Sequence, residues 1–175
     1  MEDEIFNPSI PRVSVKSNVA NEFNIRLARA ITDADDFAEE FHAFQCATSD
    51  DVVKLDIMSV GGSVDTCIMI RRAMAQCQGN ILGWIGPTCA SAATAIALQC
   101  DGWEVDEMSS FMIHTGSFGP GFGKSPDVVA SAMHTAKMIE KFIRLVYTGF
   151  LDEAEIQQVL DGKELYFEGD ELCER

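Results

Sequence analysis

Leu55-Asp56-Ile57-Met58-Ser59-Val60-Gly61-Gly62-Ser63-Val64 begins as an apolar run of strand length and ends in a glycine pair. The sequence therefore predicts a buried strand over residues 52–58 that turns sharply into a helix. Residues 64–77 carry Ile68, Ile70, Met74 and Cys77 for packing, Gly79-Asn80 breaks the helix, and residues 81–85 form a second short apolar strand. Gly86-Pro87-Thr88-Cys89-Ala90-Ser91-Ala92-Ala93 is predicted to start another helix. Residues 91–100, almost all small or aliphatic, continue it, buried on most sides. Beyond Asp101-Gly102, residues 103–105 and 110–114, the latter ending Phe111-Met112-Ile113-His114, are predicted strands. This β-α-β-α-β alternation predicts an α/β fold on a parallel sheet with helices on its faces.

Working outward, residues 23–27 suit a first strand. Thr32 or Asp33 can cap a helix whose Phe37, Phe41 and Phe44 share one face. Residues 1–19, with two prolines and no sustained periodicity, are expected to form an arm, leaving residues 20–175 as a single domain. On the far side, the glycines of residues 116–123 mark a surface loop or edge strand. Pro126-Asp127 then opens the longest helix, reaching Tyr147. Its wide apolar stripe, running from Val129 and Met133 through Ile139 and Phe142 to Val146, is of the kind a neighbouring subunit covers. A short acidic helix over residues 152–160, the strand-like Leu165-Tyr166-Phe167 and a polar end complete the chain.

The 175 residues carry a formal net charge of −15, which opposes binding along a nucleic-acid backbone. Cys46, Cys67, Cys77, Cys89, Cys100 and Cys173 form no CxxC pair and have no histidine at metal-ligand spacing, so no metal or other cofactor is expected. Reduced thiols, an acidic N-terminus and the absence of any apolar run near the roughly 20 residues that cross a bilayer point to a cytoplasmic protein away from membranes.

Three features carry chemistry. A serine becomes a nucleophile only beside a base and needs aimed donors for its oxyanion. Ser91, at a helix start and next to the Ala92 N–H, has such donors within reach; close helix packing is the alternative role for a serine among alanines. His114 ends an apolar strand, whereas His42 and His134 fall within amphipathic helices, so His114 is the best-placed base. The Gly61-Gly62 turn is either an ordinary strand-to-helix connection or one whose N–H groups face outward.

Taken together, these segments resemble the Clp protease proteolytic-subunit (ClpP) family. Met58-Ser59-Val60-Gly61-Gly62-Ser63-Val64 is similar to that family's Asn-Ser-Pro-Gly-Gly turn, Cys89-Ala90-Ser91-Ala92 to its Ala-Ala-Ser-Met segment, and Phe111-Met112-Ile113-His114 to its Met-Ile-His strand. The resemblance covers residues 25–171 and implies a ClpP/crotonase-like fold of repeated β-β-α units with a long protruding handle helix. It further implies a self-compartmentalising serine endopeptidase acting on unfolded polypeptides or peptides through an acyl-enzyme. Ser91 would be the nucleophile, His114 the base, and Gly62 and Ala92 N–H the oxyanion donors. An extended substrate would lie between Ser63-Val64 and Thr115-Gly116. Implied partners are copies of the chain in a heptameric ring, two rings stacked through the long helix, and an AAA+ unfoldase that drives ATP-dependent proteolysis. The N-terminal arm would then be an axial loop.

Some positions depart from the family pattern. Val60 and Ala92 replace its proline and methionine, and where it has its third triad acid the nearest carboxylate here is Glu164, with Asp161 the runner-up. The diverged ends also fit a phage-encoded relative. Two other readings are a catalytically impaired structural or ring-modulating subunit, and an acyl-CoA enzyme of the related crotonase fold.

Overall fold

The computed structural model describes residues 13–17, 20–119 and 121–175. Its centre is a seven-stranded mixed sheet of β1 (Val13–Ser17), β2 (Asn21–Leu27), β3 (Val52–Ser59), β4 (Asn80–Ala90), β5 (Gly102–Val105), β6 (Ser110–Ile113) and β7 (Leu165–Glu168). The strand order is β1-β2-β3-β4-β6-β7, with β5 also on β4. Strands β2 to β6 pair in parallel, as the alternation predicts, while the edge strands β1 and β7 are antiparallel to β2 and β6. The helices are α1 (Ala38–Cys46), α2 (Val64–Gln76), α3 (Ala92–Ala97), α4 (Ser125–Tyr147), α5 (Glu153–Leu160) and α6 (Gly169–Glu174).

Strand β4 differs most from expectation. Residues 86–90, predicted to begin a helix, extend it as a strand, because Cys89 pairs with Ser59 of β3 on one edge and with Phe111 of β6 on the other. Ladder bonds on both edges override the helix preference of small side chains. Between Ile57↔Ile85 and Ser59↔Cys89 the register slips, and Pro87, which has no N–H to donate, sits in that irregularity. The slip lets one long strand pair β5 along Leu82 to Ile85 and β6 along Thr88 to Ala90.

Other expectations need correction. Val13–Ser17, assigned to an arm, is an edge strand that brings Val13 opposite Ile25; the rest of that arm lies outside the described residues. Strand β3 is not buried on both faces: Val53, Leu55 and Ile57 are buried while Lys54 and Met58 are exposed, so helices cover only one side of it. Neither predicted cap forms before α1. Asp33 makes no capping bond, and Thr32 Oγ1 donates to Asp36 Oδ2 at 2.6 Å. The polar end folds as α6.

The apolar stripe of α4 divides. None of residues 125–138 is buried, and Val129 and Met133 are largely exposed, whereas Ile143, Val146 and Tyr147 join the core. Among the described residues no helix is long and apolar enough to cross a membrane.

Asp51 fastens the end of the sheet where β2 and β3 begin. Its carboxylate accepts from Thr48 N at 2.7 Å, Asn21 N at 2.7 Å and Thr48 Oγ1 at 2.8 Å. These bonds, the Thr48 amide foremost, hold its pKa down to about 2 from an ordinary 3.8. A depressed carboxylate stabilises the fold fully above its unfolded pKa and loses that contribution as pH falls through the folded one. Denaturant titrations from about pH 4 to about pH 2 should therefore show the folded state weakening, with a shallower slope in Asp51→Asn. An identical slope in wild type and variant would contradict this role.

Candidate active site

Strands β3 and β4 end side by side, and the turns leaving them touch. Gly61 and Gly62 have φ of 86° and 150°, values that L side chains rarely adopt. A Cβ on Gly61 would lie 2.5 Å from Ala90 O and 2.8 Å from Ala92 N. Only glycine lets the first turn approach the second so closely. The parallel bridge Ile31↔Gly62 holds the glycine turn from the other side, through Ile31 N to Gly61 O at 2.9 Å and Ser63 N to Ile31 O at 2.7 Å. The Gly62 N–H takes no part in that bridge.

Ser91 is the residue between β4 and α3, not part of the helix itself. It is the one non-glycine residue with positive φ among the described residues, at φ 57° and ψ −127°. Such backbone persists only when its surroundings fix it, and here they do. Ser91 N donates to Met112 O at 2.7 Å, and Ser91 O accepts from Thr94 N at 3.0 Å and from Thr94 Oγ1 at 2.6 Å. The sharp strand-to-helix turn sets Ser91 at its corner, and Ala92, as the first residue of α3, has an N–H with no partner inside that helix.

Beta-strand β6 brings the imidazole to this turn. His114 follows Ile113 at its end, and Nε2 lies 2.7 Å from Ser91 Oγ. With the ring proton on Nδ1, the serine hydroxyl donates to Nε2, which is the arrangement a general base requires. Val64, Ala92, Gly116, Ile139 and Phe142 close round the pair, leaving a cavity of about 20 Å³, roughly the space for one water. A larger, mostly apolar cleft of about 580 Å³ shares Val64, Gly116, Ile139 and Phe142 with that cavity.

The other residues singled out from the sequence fall as follows. Gly62, Ser63, Val64 and Gly116 line the large cleft, and Ser63 also caps α2 by accepting from Thr66 N at 3.2 Å. Thr115 lines an adjoining depression with Lys137 and Glu140, which shares Gly116, Phe118 and Ile139 with the cleft. Antiparallel pairing of β6 with β7 ends at Ile113 opposite Leu165, and just beyond that last pair lie His114 on one side and Glu164 on the other. Its carboxylate, however, accepts from Tyr166 Oη at 2.6 Å, while Asp161 Oδ1 accepts from Gln157 Nε2 at 2.9 Å. Among the described residues, neither acid is hydrogen-bonded to His114. No group of three or more His, Cys, Asp or Glu among them could hold a metal ion.

Sequence reading missed Thr94 and Tyr147, which are buried, and whose hydroxyls lie 2.7 Å apart. Since the single Thr94 proton goes to Ser91 O, the Tyr147 hydroxyl is the donor of this bond. The chain of hydroxyls thus links the core end of α4 to the backbone of Ser91. Burial raises the Tyr147 pKa, so the phenol stays protonated and able to donate. Only a hydroxyl in an otherwise apolar helix start could have hinted at Thr94.

Replacing Thr94 by valine strands the buried Tyr147 proton and should lower unfolding stability by about 1–3 kcal/mol. Tyr147→Phe leaves Thr94 still bonded to Ser91 and should cost less. The double variant should fall short of the summed losses in denaturant melts at fixed protein concentration. Strictly additive losses would contradict the linkage.

Comparison with known families adds an independent line. A protein-family model described as Clp protease matches residues 11–165. No curated protein matches the chain.

Proposed function

Because the chain belongs to the Clp protease family, we propose that it is a serine endopeptidase in which Ser91 is the nucleophile and His114 the general base. Membership makes it a ClpP-like peptidase at the level of the family and agrees with the α/β fold. The observation that carries the finer reading is the 2.7 Å contact between His114 Nε2 and Ser91 Oγ on a turn with positive φ. In the reaction, Ser91 Oγ attacks the peptide carbonyl as its proton passes to Nε2. His114 then returns that proton to the leaving amine, and water hydrolyses the acyl-enzyme by the reverse route. Gly62 and Ala92 N–H stabilise the tetrahedral oxyanion.

Glu164 is the favoured third member, since it and His114 each lie one residue beyond the last pair of β6 and β7, and a rotamer change would free its carboxylate from Tyr166. Asp161, on the turn after α5, is the weaker candidate. Subunit assembly into stacked heptameric rings, with an unfoldase feeding polypeptide to the sites, belongs to the same proposal. The unburied length of α4, residues 125–138, supplies an apolar surface for it.

The second reading, a structural or ring-modulating subunit with impaired catalysis, is favoured by one observation: Glu164 is bonded to Tyr166 and not to His114. A fluorophosphonate probe separates the two. Peptidase action predicts modification of Ser91 that Ser91→Ala abolishes, with loss of peptide hydrolysis. Glu164→Gln should lower kcat by about 10²-fold or more while Asp161→Asn changes it little, as expected if the acid orients the base. Equal hydrolysis by wild type and Ser91→Ala would overturn the proposal in favour of the structural subunit.

A further inference from the structure

Arg71 is the unusual group in the large cleft. It lies on α2 and is half-buried, and the wall around it is mainly apolar, including Val64, Ile68, Ile139, Phe142 and Leu145. Its Nη1 donates to Ala95 O at the end of α3, and its other N–H groups have no protein acceptor among the described residues. No carboxylate is within ion-pair distance of Arg71 among the described residues.

The titratable groups near enough to act on Arg71 are Cys67 and Tyr147, and burial keeps both protonated, Cys67 being pushed up to about 12. Asp65, the only acid lining the cleft among the described residues, is exposed in the first turn of α2, where the helix dipole favours it. Lys141 contributes a second cation from α4 and likewise has no ion-pair partner among the described residues.

A guanidinium removed from much of its water and given no counter-charge gains strongly from an incoming carboxylate, most of all in a two-pronged contact. The cleft adjoins the Ser91 and His114 cavity, with which it shares four wall residues, so what fills it lies against that cavity. We propose that Arg71 makes this cleft an anion-selecting subsite, one that takes a peptide carboxylate from an acidic side chain or from a chain's free C-terminus. The inference rests on the peptidase reading and adds a substrate preference to it. Long-range steering does not produce that preference, because the net charge of −15 repels acidic peptides. The selection is made on contact within the cleft.

The test uses terminally blocked fluorogenic peptides that differ only by Glu, Gln, Leu or Lys at successive positions on the acyl side of the cut. A matched series compares free acids with amides at the C-terminus. Wild type should favour Glu over Gln at one position, or the free acid over the amide, by about tenfold or more in kcat/KM; the arm that responds identifies the carboxylate's source. Arg71→Met should level that preference, read as the Glu-to-Gln ratio within the variant, and Arg71→Glu should turn it towards Lys. The Glu-to-Gln comparison in wild type needs no variant and survives any folding defect. Cleavage of all peptides with no gain from a carboxylate would overturn the subsite and leave the peptidase intact. Absence of both cleavage and Ser91 labelling would overturn the two together.

Discussion

Two adjacent parallel strands finish at the same edge of the sheet, and their departing turns are pressed into contact. At that contact Gly61 occupies space where a Cβ would strike Ala90 O, Ser91 Cβ and Ala92 N. The glycine turn and the Ser91 turn can therefore exist only as a pair. Around that contact the backbone of Ser91 is held at positive φ, and β6 on the next edge brings His114 to the hydroxyl.

Much of the polar interior serves to keep that contact in place. Ser59 Oγ donates to Arg29 O at 2.6 Å and accepts from Gly61 N at 3.1 Å, tying the end of β3 to the segment after β2. Thr66 Oγ1 reaches Thr32 O at 2.7 Å and fixes α2 to the same segment. From the opposite side, Tyr147 and Thr94 link α4 to the Ser91 carbonyl. Satisfied hydroxyls buried in an apolar core specify geometry more strictly than apolar packing alone. The helix that bears the exposed apolar stripe is thus connected to the backbone of Ser91.

The parallel core and the three chemical segments were legible because they are local patterns: alternating apolar runs, glycine turns, and a serine and a histidine at element ends. What could not be read depends on pairing. Gly86 to Ala90 look like a helix start until β3 and β6 claim both edges of the segment, and Val13–Ser17 has no pattern of its own until β2 lies beside it. Glu164 and His114 each lie one residue past the last pair of β6 and β7, but no sequence pattern gives the rotamer of Glu164, whose carboxylate Tyr166 holds. Ile139 and Phe142 were legible as apolar yet not as walls of the site, since helical periodicity gives a face without saying what it meets. Arg71 had no signal at all, because a cation on an amphipathic helix ordinarily faces water.

The central claim, that Ser91, His114 and two backbone amides act as one catalytic centre, is tested most directly by the crystal structure of the protein with a peptide boronic acid. The account predicts a bond from boron to Ser91 Oγ, with one boronate oxygen about 2.7–3.1 Å from both Gly62 N and Ala92 N. A boronate bonded elsewhere, or an oxygen turned away from both amides with Ser91 unmodified, would contradict it.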